Sequence, residues 1–501
     1  MIRPMDVVLR SAGDRRAPRI VTAQGVLDDH TLAARIDAVV AWLAKTGIRR
    51  VASRLDNGPS WFVLDLALRE VGGVHVPLPM FFSEAQVRHA LANSGVQCVL
   101  TAREDAMPPG VEALTGFVEG DRLACWRVQG GDAMASTLPP RTACITYTSG
   151  TTGRPRGVCL DADTLFTVAG SLVDAAAAIA PRRHLCLMPL ATLLENVAGL
   201  YAALLADAEI ALPSLSEIGY TGATGLDVPT LLRCLHRYQP ESVILVPQLL
   251  LALVMAAEQG APLPASLRYL AVGGGRVGPG LLRRALALGL PVFEGYGLTE
   301  CGSVVCLNRP GALREGSVGR PLPHARVSIV DDEILVEGAR ALAYLGGEPL
   351  PAGPVRTGDL GHQDEDGFIH ITGRRKNVFI TAFGRNVSPE WVESELLAHP
   401  AIGQAVVWGE GQADNVAVLV PRRAEVDDAR LRRALAEVNA GLPDYARVAR
   451  FVRAAAPFTA DAGLLTANGR PRRDAILSRY QAEVDACYRQ PFDLSPSGVP
   501  A

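Results

Sequence analysis

Between Thr148 and Gly157 the chain crowds four hydroxyls, three glycines and two arginines into ten residues: Thr148-Ser149-Gly150-Thr151-Thr152-Gly153-Arg154-Pro155-Arg156-Gly157. Glycines let a backbone approach a ligand closely, and free N–H groups in succession form a concave anion site. Hydroxyls add donors and arginines add charge. The composition suits a phosphate clamp. It is not the P-loop pattern, because no Gly-Lys-Ser/Thr closes it. Read from composition alone, the alternative is a flexible Gly/Thr surface loop. A second candidate runs from Leu270 to Gly278: a strand, then Gly273-Gly274-Gly275-Arg276-Val277-Gly278, then a helix opening at Pro279. A further strand follows and ends at Glu294. Taken alone this fits the dinucleotide-binding fingerprint, acidic residue included, although a lone match is a weak signal.

The stretch Thr148–Gly157 resembles the phosphate-binding signature of the acyl-adenylate-forming superfamily: acyl-CoA synthetases, peptide-synthetase adenylation domains and luciferases. Further segments resemble family motifs in family order. They are Glu294-Gly295-Tyr296-Gly297-Leu298-Thr299-Glu300, the loop Gly316–Pro323, Arg356-Thr357-Gly358-Asp359-Leu360, Gly373-Arg374-Arg375-Lys376-Asn377 and Gly384–Glu393. The resemblance covers most of the chain and turns the Gly273–Gly278 loop from a dehydrogenase signal into part of an ATP site.

The chemistry it implies joins a carboxylic acid to a thiol. A carboxylate is a poor acyl donor at neutral pH, and attack on the α-phosphate of ATP activates it as an acyl adenylate. Both reactants are anions, so positive charge must screen them. By the resemblance, Thr148, Ser149, Gly150, Thr151, Thr152, Gly153 and Arg156 hold the β- and γ-phosphates. Gly273, Gly274 and Gly275, together with Glu294, Gly295, Tyr296 and Gly297, form the adenine and phosphate site, with Tyr296 stacked on the base. Thr299 contacts the α-phosphate side, and Glu300 binds Mg²⁺, a hard cation that prefers oxygen ligands. Asp359 accepts the ribose hydroxyls, and Arg374 approaches ribose and phosphates. Lys376 marks a hinge, Gly384 lines the path of the thiol, and Arg470 reaches the carboxylate and α-phosphate.

Two departures stand out. Relatives usually carry Lys where this chain has Arg156 and Arg470. Arginine keeps the charge and can bind two oxygens at once, with a different reach. Lysine is rare throughout, so a general drift from Lys to Arg accounts for both. The implied co-substrates are ATP, Mg²⁺ and coenzyme A, with a small-molecule carboxylic acid, expected to be a fatty acid. The alternatives are loading of a carrier-protein phosphopantetheine, a catalytically impaired nucleotide or acyl binder because of Arg470, and remotely a dinucleotide-dependent oxidoreductase.

These residues need elements to hold them. Between residues 1 and 140, apolar runs (Val51–Leu55, Val74–Leu78, Val96–Leu100) alternate with helical patterns at Leu32–Leu43 and Trp61–Val71, which predicts α/β layers with parallel strands. Thr31 is the expected cap of the first helix, and Ser83 caps another. Met188-Pro189-Leu190-Ala191 leaves a strand and Leu193–Val197 begins a helical run. In fatty acyl-CoA synthetases a similar segment borders the acyl pocket, often with an aromatic or His where Thr192 stands. Glu195 in it is expected to be a solvated helix residue. Residues 316–373 are turn-rich and β-like, with Asp364–Phe368 as a hairpin turn. Ser388 and Pro389 open a helix, and Leu465–Arg470 is a turn built on Asn-Gly.

The predicted architecture is α/β: a large N-terminal domain, 1–374, of layered α/β subdomains with a β-rich part. A small, mobile α+β C-terminal domain, 375–501, follows a hinge near Lys376. The chain has 501 residues and a net charge of −3, so bulk electrostatics give no case for nucleic acid or a membrane surface. The apolar stretches Leu172–Ala180 and Leu249–Ala257 are too short to span a bilayer. Met1–Arg16 lacks an apolar signal core. Nine cysteines without a Cys-x-x-Cys pair read as reduced core residues of a cytoplasmic protein.

Overall fold

The computed structural model describes residues 19–103, 105, 111–114, 123–129, 138–148, 155–221, 225–347, 349–466 and 469–489. The chain divides into two compact units. One runs to Ile371 apart from 278–281, and the other comprises 278–281 and the residues from Thr372 onward.

The first unit contains three principal sheets of eight, nine and four strands. In the eight-stranded sheet, Val74–Pro77, Arg50–Arg54 and Cys98–Ala102 run parallel, and Thr142–Thr148 lies parallel beside Val74–Pro77. Arg156–Asp161 then folds back antiparallel on Thr142–Thr148. The nine-stranded sheet has parallel neighbours Arg183–Leu185, Ser242–Leu245, Tyr269–Val272 and Val292–Leu298 at its centre. Ser303–Leu307 adds an antiparallel edge. The parallel strands are apolar runs buried on both faces, as helix-covered sheets require. The four-stranded antiparallel sheet, from Ala325–Val330 to Ile369–Arg374, is the β-rich part. Asp364 and Phe368 close its hairpin turn, with the Asp364 N–H donating to Phe368 O at 3.0 Å.

The first long helix spans Asp29–Thr46, and its cap differs from the expected Thr31. Asp28 is the N-cap, and its carboxylate accepts the Thr31 N–H at 2.8 Å. Asp caps as well as Thr, and Asp29 in the first turn faces the positive end of the helix dipole. Ser83 does cap its helix, in a reciprocal capping box with Gln86.

Polar groups tie the eight-stranded sheet to its neighbours. Ser53 Oγ and His75 Nε2 are 2.7 Å apart, and His75 Nδ1 donates to Asp65 Oδ1 at 2.6 Å. Arg69 donates to the same carboxylate at 2.9 Å, and the Tyr201 hydroxyl binds its other oxygen. The order Ser–His–Asp is that of a hydrolase triad, but Ser53 and His75 are fully buried, so no substrate reaches them. Burial opposes the Asp65 charge, yet Arg69, His75 and Tyr201 outweigh it and hold the carboxyl below its usual range. The set is a structural network.

The second unit is a three-stranded sheet, Ile402–Trp408, Asn415–Pro421 and Val448–Arg453, with the middle strand antiparallel to the first and parallel to the last. The period of two in a strand divides its core. Ala405, Val407, Ala417 and Leu419 face the helices Pro389–Ala398 and Asp428–Ala440. Val406, Val416, Val418 and Val420 pack with Phe458, Ile476 and Tyr480, the last two on the helix Arg473–Arg489. Ser388 occupies the N-cap of Pro389–Ala398, though its hydroxyl makes no capping bond. Among the described residues no helix is long and apolar enough to cross a membrane. All nine cysteines are unpaired, eight of them buried.

Candidate active site

The segment expected to clamp phosphate begins and ends on two paired strands. Thr148 and Arg156 are register partners at the ends of Thr142–Thr148 and Arg156–Asp161. The tip that joins them, including Ser149, Gly150, Thr151, Thr152 and Gly153, lies outside the described residues. Ala343–Tyr344 pairs with the second of these strands, Tyr344 opposite Val158. That pairing puts the Arg156 guanidinium 3.8 Å from the centroid of the Tyr344 ring. The Tyr344 hydroxyl in turn donates to Glu300 Oε1 at 2.6 Å. Glu300 sits in a short 3-10 turn, Thr299–Cys301, and its carbonyl accepts the Ala341 N–H at 2.8 Å. Arg156 and Glu300, 144 positions apart by their numbers, are thus joined through one tyrosine. Sequence reasoning did not single out Tyr344. The strand pairing that places it depends on residues far away in the chain, and no local signal marks it.

The glycine-rich loop leaves the carboxyl end of Tyr269–Val272, where open parallel sheets bind ligands. The register sets Val272 opposite Glu294, so Gly273 and Gly295 leave the parallel core side by side. The strand predicted to end at Glu294 continues to Leu298 and pairs antiparallel with Ser303–Leu307, with a bulge after Tyr296. The bulge explains Gly297, because a Cβ there would lie 1.8 Å from Ser303 O. At Gly273 a Cβ would meet nothing nearer than 3.6 Å, and at Gly275 nothing nearer than 3.4 Å. The protein itself leaves room above this loop.

Glu294 is buried and takes the Val277 N–H on its carboxylate, which ties the glycine-rich loop to the neighbouring strand. Burial pushes its carboxyl up to about 7, against the opposing pull of Val277 and Arg276. Tyr296 donates its hydroxyl to Asp359 Oδ2 at 2.7 Å. Burial and then Asp359 raise the phenol well above its usual range. The Asp359 backbone is fixed through its N–H on Thr357 Oγ1, while Thr357 bonds Ile334 O. The two residues assigned to adenine and ribose are in direct contact.

The Met188–Tyr201 segment corrects one expectation. Glu195 is fully buried, not solvated. Its carboxylate accepts from the Met188 N–H at 2.9 Å and from His184 Nε2 at 3.2 Å, and the Cys186 thiol bonds it as well. Ser242 Oγ lies 3.0 Å from His184 Nδ1. Glu195 opens the π-helix Glu195–Tyr201, and Gly199 of that helix lies over its carboxylate. His184, Cys186 and Glu195 hold their ligand-type atoms within 4.8 Å of one another. Proton donors already satisfy the carboxylate, and we assign the group a structural role. On the other side, Asn57 brackets the same segment, donating to Met188 O at 2.9 Å and accepting the Leu190 N–H at 2.8 Å. Leu194 Cδ2 lies 3.6 Å from where a Gly273 Cβ would stand. The apolar segment therefore lies against the glycine-rich loop.

In the second unit, Arg374, Lys376 and Arg470 interact. Burial lowers the Lys376 ammonium from its usual range, the charges of Arg374 and Arg470 add to that, and Glu390 and Asp474 oppose it. The Arg470 turn is closed by the Thr466 N–H on Arg470 O at 2.8 Å; Ala467 and Asn468 lie outside the described residues. Gly384, with φ of 71°, completes the turn between Phe379–Ile380 and Asn386–Val387.

Comparison with known proteins bears on this geometry. Residues 16–347 match the "AMP-binding enzyme" family, and residues 376–491 match the "AMP-binding enzyme C-terminal domain". The long-chain-fatty-acid–CoA ligase FadD15 of Mycobacterium tuberculosis (strain ATCC 25618 / H37Rv) is 28% identical over 86% of each chain. The 2-succinylbenzoate–CoA ligase of Bacillus subtilis (strain 168) is 30% identical over 54% of this chain and 56% of its own. Among solved structures, the anthranilate CoA ligase AuaEII in complex with anthranoyl-AMP superposes with a TM-score of 0.79 at 18% identity, covering 97% of this chain and 98% of that one. The o-succinylbenzoate CoA synthetase of Bacillus subtilis in complex with ATP and magnesium gives 0.70 at 23% identity, covering 93% and 98%. At these identities the structural matches establish the fold.

Proposed function

The chain belongs to the AMP-binding enzyme family, and from that premise we propose that it activates a fatty acid with ATP and passes the acyl group to coenzyme A. ATP-dependent acid–thiol ligation follows from the family and from relatives that are CoA ligases. The fatty acid is the finer reading. The observation that carries it is the apolar segment around Leu193 and Leu194, held by Asn57 and Glu195 against the glycine-rich loop. A pocket wall of that kind stabilises an alkyl chain by removing it from water, at about 0.8 kcal/mol for each buried CH₂.

In this reading Thr148, Arg156 and the loop between them bind the β- and γ-phosphates. Tyr296 packs on adenine and Asp359 holds the ribose. Thr299 contacts the α-phosphate. The acid's carboxylate attacks that phosphorus and pyrophosphate leaves in line, with Arg470 and Arg156 countering the gathered negative charge. Glu300 suits Mg²⁺, because a single fixed carboxylate beside phosphates and waters is how that ion is usually held. When bound, Mg²⁺ supplies charge neutralisation at the phosphates. For the second step we assign Lys376 to the hinge between domains 1–374 and 375–501, and Gly384 to the path of the thiol.

The test is mass spectrometry of purified protein with ATP, Mg²⁺ and a panel of fatty and aryl acids, with and without coenzyme A. The expected result is acyl-AMP from fatty acids that converts to acyl-CoA when the thiol is added. Adenylation of aryl acids alone would overturn the fatty reading. Adenylate that persists with coenzyme A present would move the acceptor to a carrier protein. ATP binding without adenylate would make the chain a binder.

A further inference from the structure

Resting on the role given to Arg470 above, we propose that the buried pair Glu393–Arg473 is a positioning device that sets Arg470 for adenylation. Arg470 sits on a turn closed by Thr466 N–H to Arg470 O at 2.8 Å, Arg470 N–H to Thr466 Oγ1 at 3.1 Å and Arg472 N–H to Leu464 O at 2.9 Å. These bonds shape the turn, and Leu464 and Leu465 at its base are buried in the same core as the last helix. A charged anchor follows directly after it. Arg473 opens the helix Arg473–Arg489, and its guanidinium forks onto both oxygens of Glu393 at 2.8 and 2.5 Å. Glu393 Oε1 also accepts the Val407 N–H at 2.7 Å. One carboxylate thereby joins three elements: the helix Pro389–Ala398, the strand Ile402–Trp408 and the start of the last helix. Glu390 stands 3.7 Å from Arg473 as a second acid. Further along, the last helix is held by apolar contacts of Ile476, Tyr480 and Val484 and, at its far end, by the Tyr488 hydroxyl on Trp408 O at 3.2 Å and by Arg450 on the Cys487 carbonyl. At the end that carries the Arg470 turn, the bidentate Glu393–Arg473 bond fixes its register.

The side chains are 8% and 18% exposed, so the pair is largely desolvated. Such a pair is weak evidence for stability, because packed apolar residues often replace one at no cost. Fixing a register is the better-attested use. Position therefore separates from stability in a variant that keeps the bulk and removes the charges.

The experiment measures the two half-reactions apart: pyrophosphate release with acid and ATP, and thioester formation from supplied acyl-AMP and coenzyme A. We expect Glu393→Gln to lower the adenylation kcat by about 10- to 100-fold, as small displacements of a reacting group do. The KM for ATP and the thioester step stay near wild type, and Glu393→Asp with Arg473 intact recovers part of the loss. The double variant Glu393→Leu/Arg473→Met keeps its thermal stability and still fails in adenylation. If that double variant adenylates at the wild-type rate, or if all variants lose both half-reactions in step with stability, the positioning role is wrong. Arg470→Ala separates the layers. Unchanged adenylation in Arg470→Ala removes the underlying reading and this proposal with it. Adenylation lost in Arg470→Ala but kept in the Glu393 variants removes only the proposal.

Discussion

The hydroxyl of Tyr344 donates to Glu300 Oε1 at 2.6 Å, and the same ring lies 3.8 Å from the Arg156 guanidinium carbon. One residue thus orients the carboxylate assigned to Mg²⁺ and the arginine assigned to phosphate. Tyr344→Phe keeps the ring and removes the bond. A hydrogen bond to a charged group contributes about 1.5–3 kcal/mol, so we predict a fall in adenylation kcat/KM of about 10- to 100-fold. The Mg²⁺ requirement shifts to higher concentration. Steady-state pyrophosphate release across a Mg²⁺ series is the measurement, and an unchanged Mg²⁺ dependence counts against the assignment.

The Glu195 network gives a second prediction. Glu195→Ala strips His184 and the Met188 N–H of a buried acceptor, at a cost of about 1–3 kcal/mol for each group left unsatisfied. Gly199→Ala places a Cβ 2.1 Å from Glu195 Oε1 and 2.7 Å from His184 Nε2. Both variants should melt at lower temperature and change relative kcat/KM among acyl chain lengths, because Met188–Ala191 loses its fixed place. A shifted melting temperature with an unaltered chain-length profile would confine the network to stability.

Asp65 is the hub of a fully buried set, with Arg69, His75 and Tyr201 on its two oxygens. Asp65→Ala leaves Arg69 charged and unpaired by that carboxylate inside the core. The expected destabilisation is about 3–5 kcal/mol, the range for breaking a buried ion pair. Thermal denaturation and soluble yield report it. Ser53→Ala should leave adenylation unaltered, which checks that the Ser–His–Asp order here is not catalytic.

Glu294 predicts a pH effect. Its carboxyl is raised from the usual 4.5 to about 7, so in this window the folded chain holds a proton that the unfolded chain has released. Stability from this group is complete below about pH 4.5 and is lost as pH rises through about 7. Glu294→Gln should therefore raise the melting temperature at pH 8, leave it nearly unchanged at pH 4.5, and flatten the slope between. A wild-type slope in that variant would rule the group out.

Burial also governs the thiols. It pushes Cys144, Cys234 and Cys301 up to about 12, and Cys487 alone of the nine is half-buried, the other eight being buried. A thiol reagent at pH 8 should label Cys487 at most in the native protein and all nine after denaturation. Rapid native labelling of Cys301, next to Glu300, would show that the site opens.

The sequence by itself determined the local pieces. The strand–glycine loop–helix at Leu270–Pro279 and the Asp364–Phe368 turn are written in residue type and spacing, because backbone conformation depends on neighbours in the chain. Tertiary structure alone decided which of these pieces meet. Glu195 looks solvated in its own stretch and is buried because His184 and the Met188 backbone converge on it. Tyr344 carries no local mark and joins Arg156 to Glu300 only through the register of one strand pair. Arg473 reads as one arginine among many until Glu393, 80 positions away, closes on it. Burial and charge pairing are set by groups distant in sequence, so no local pattern states them.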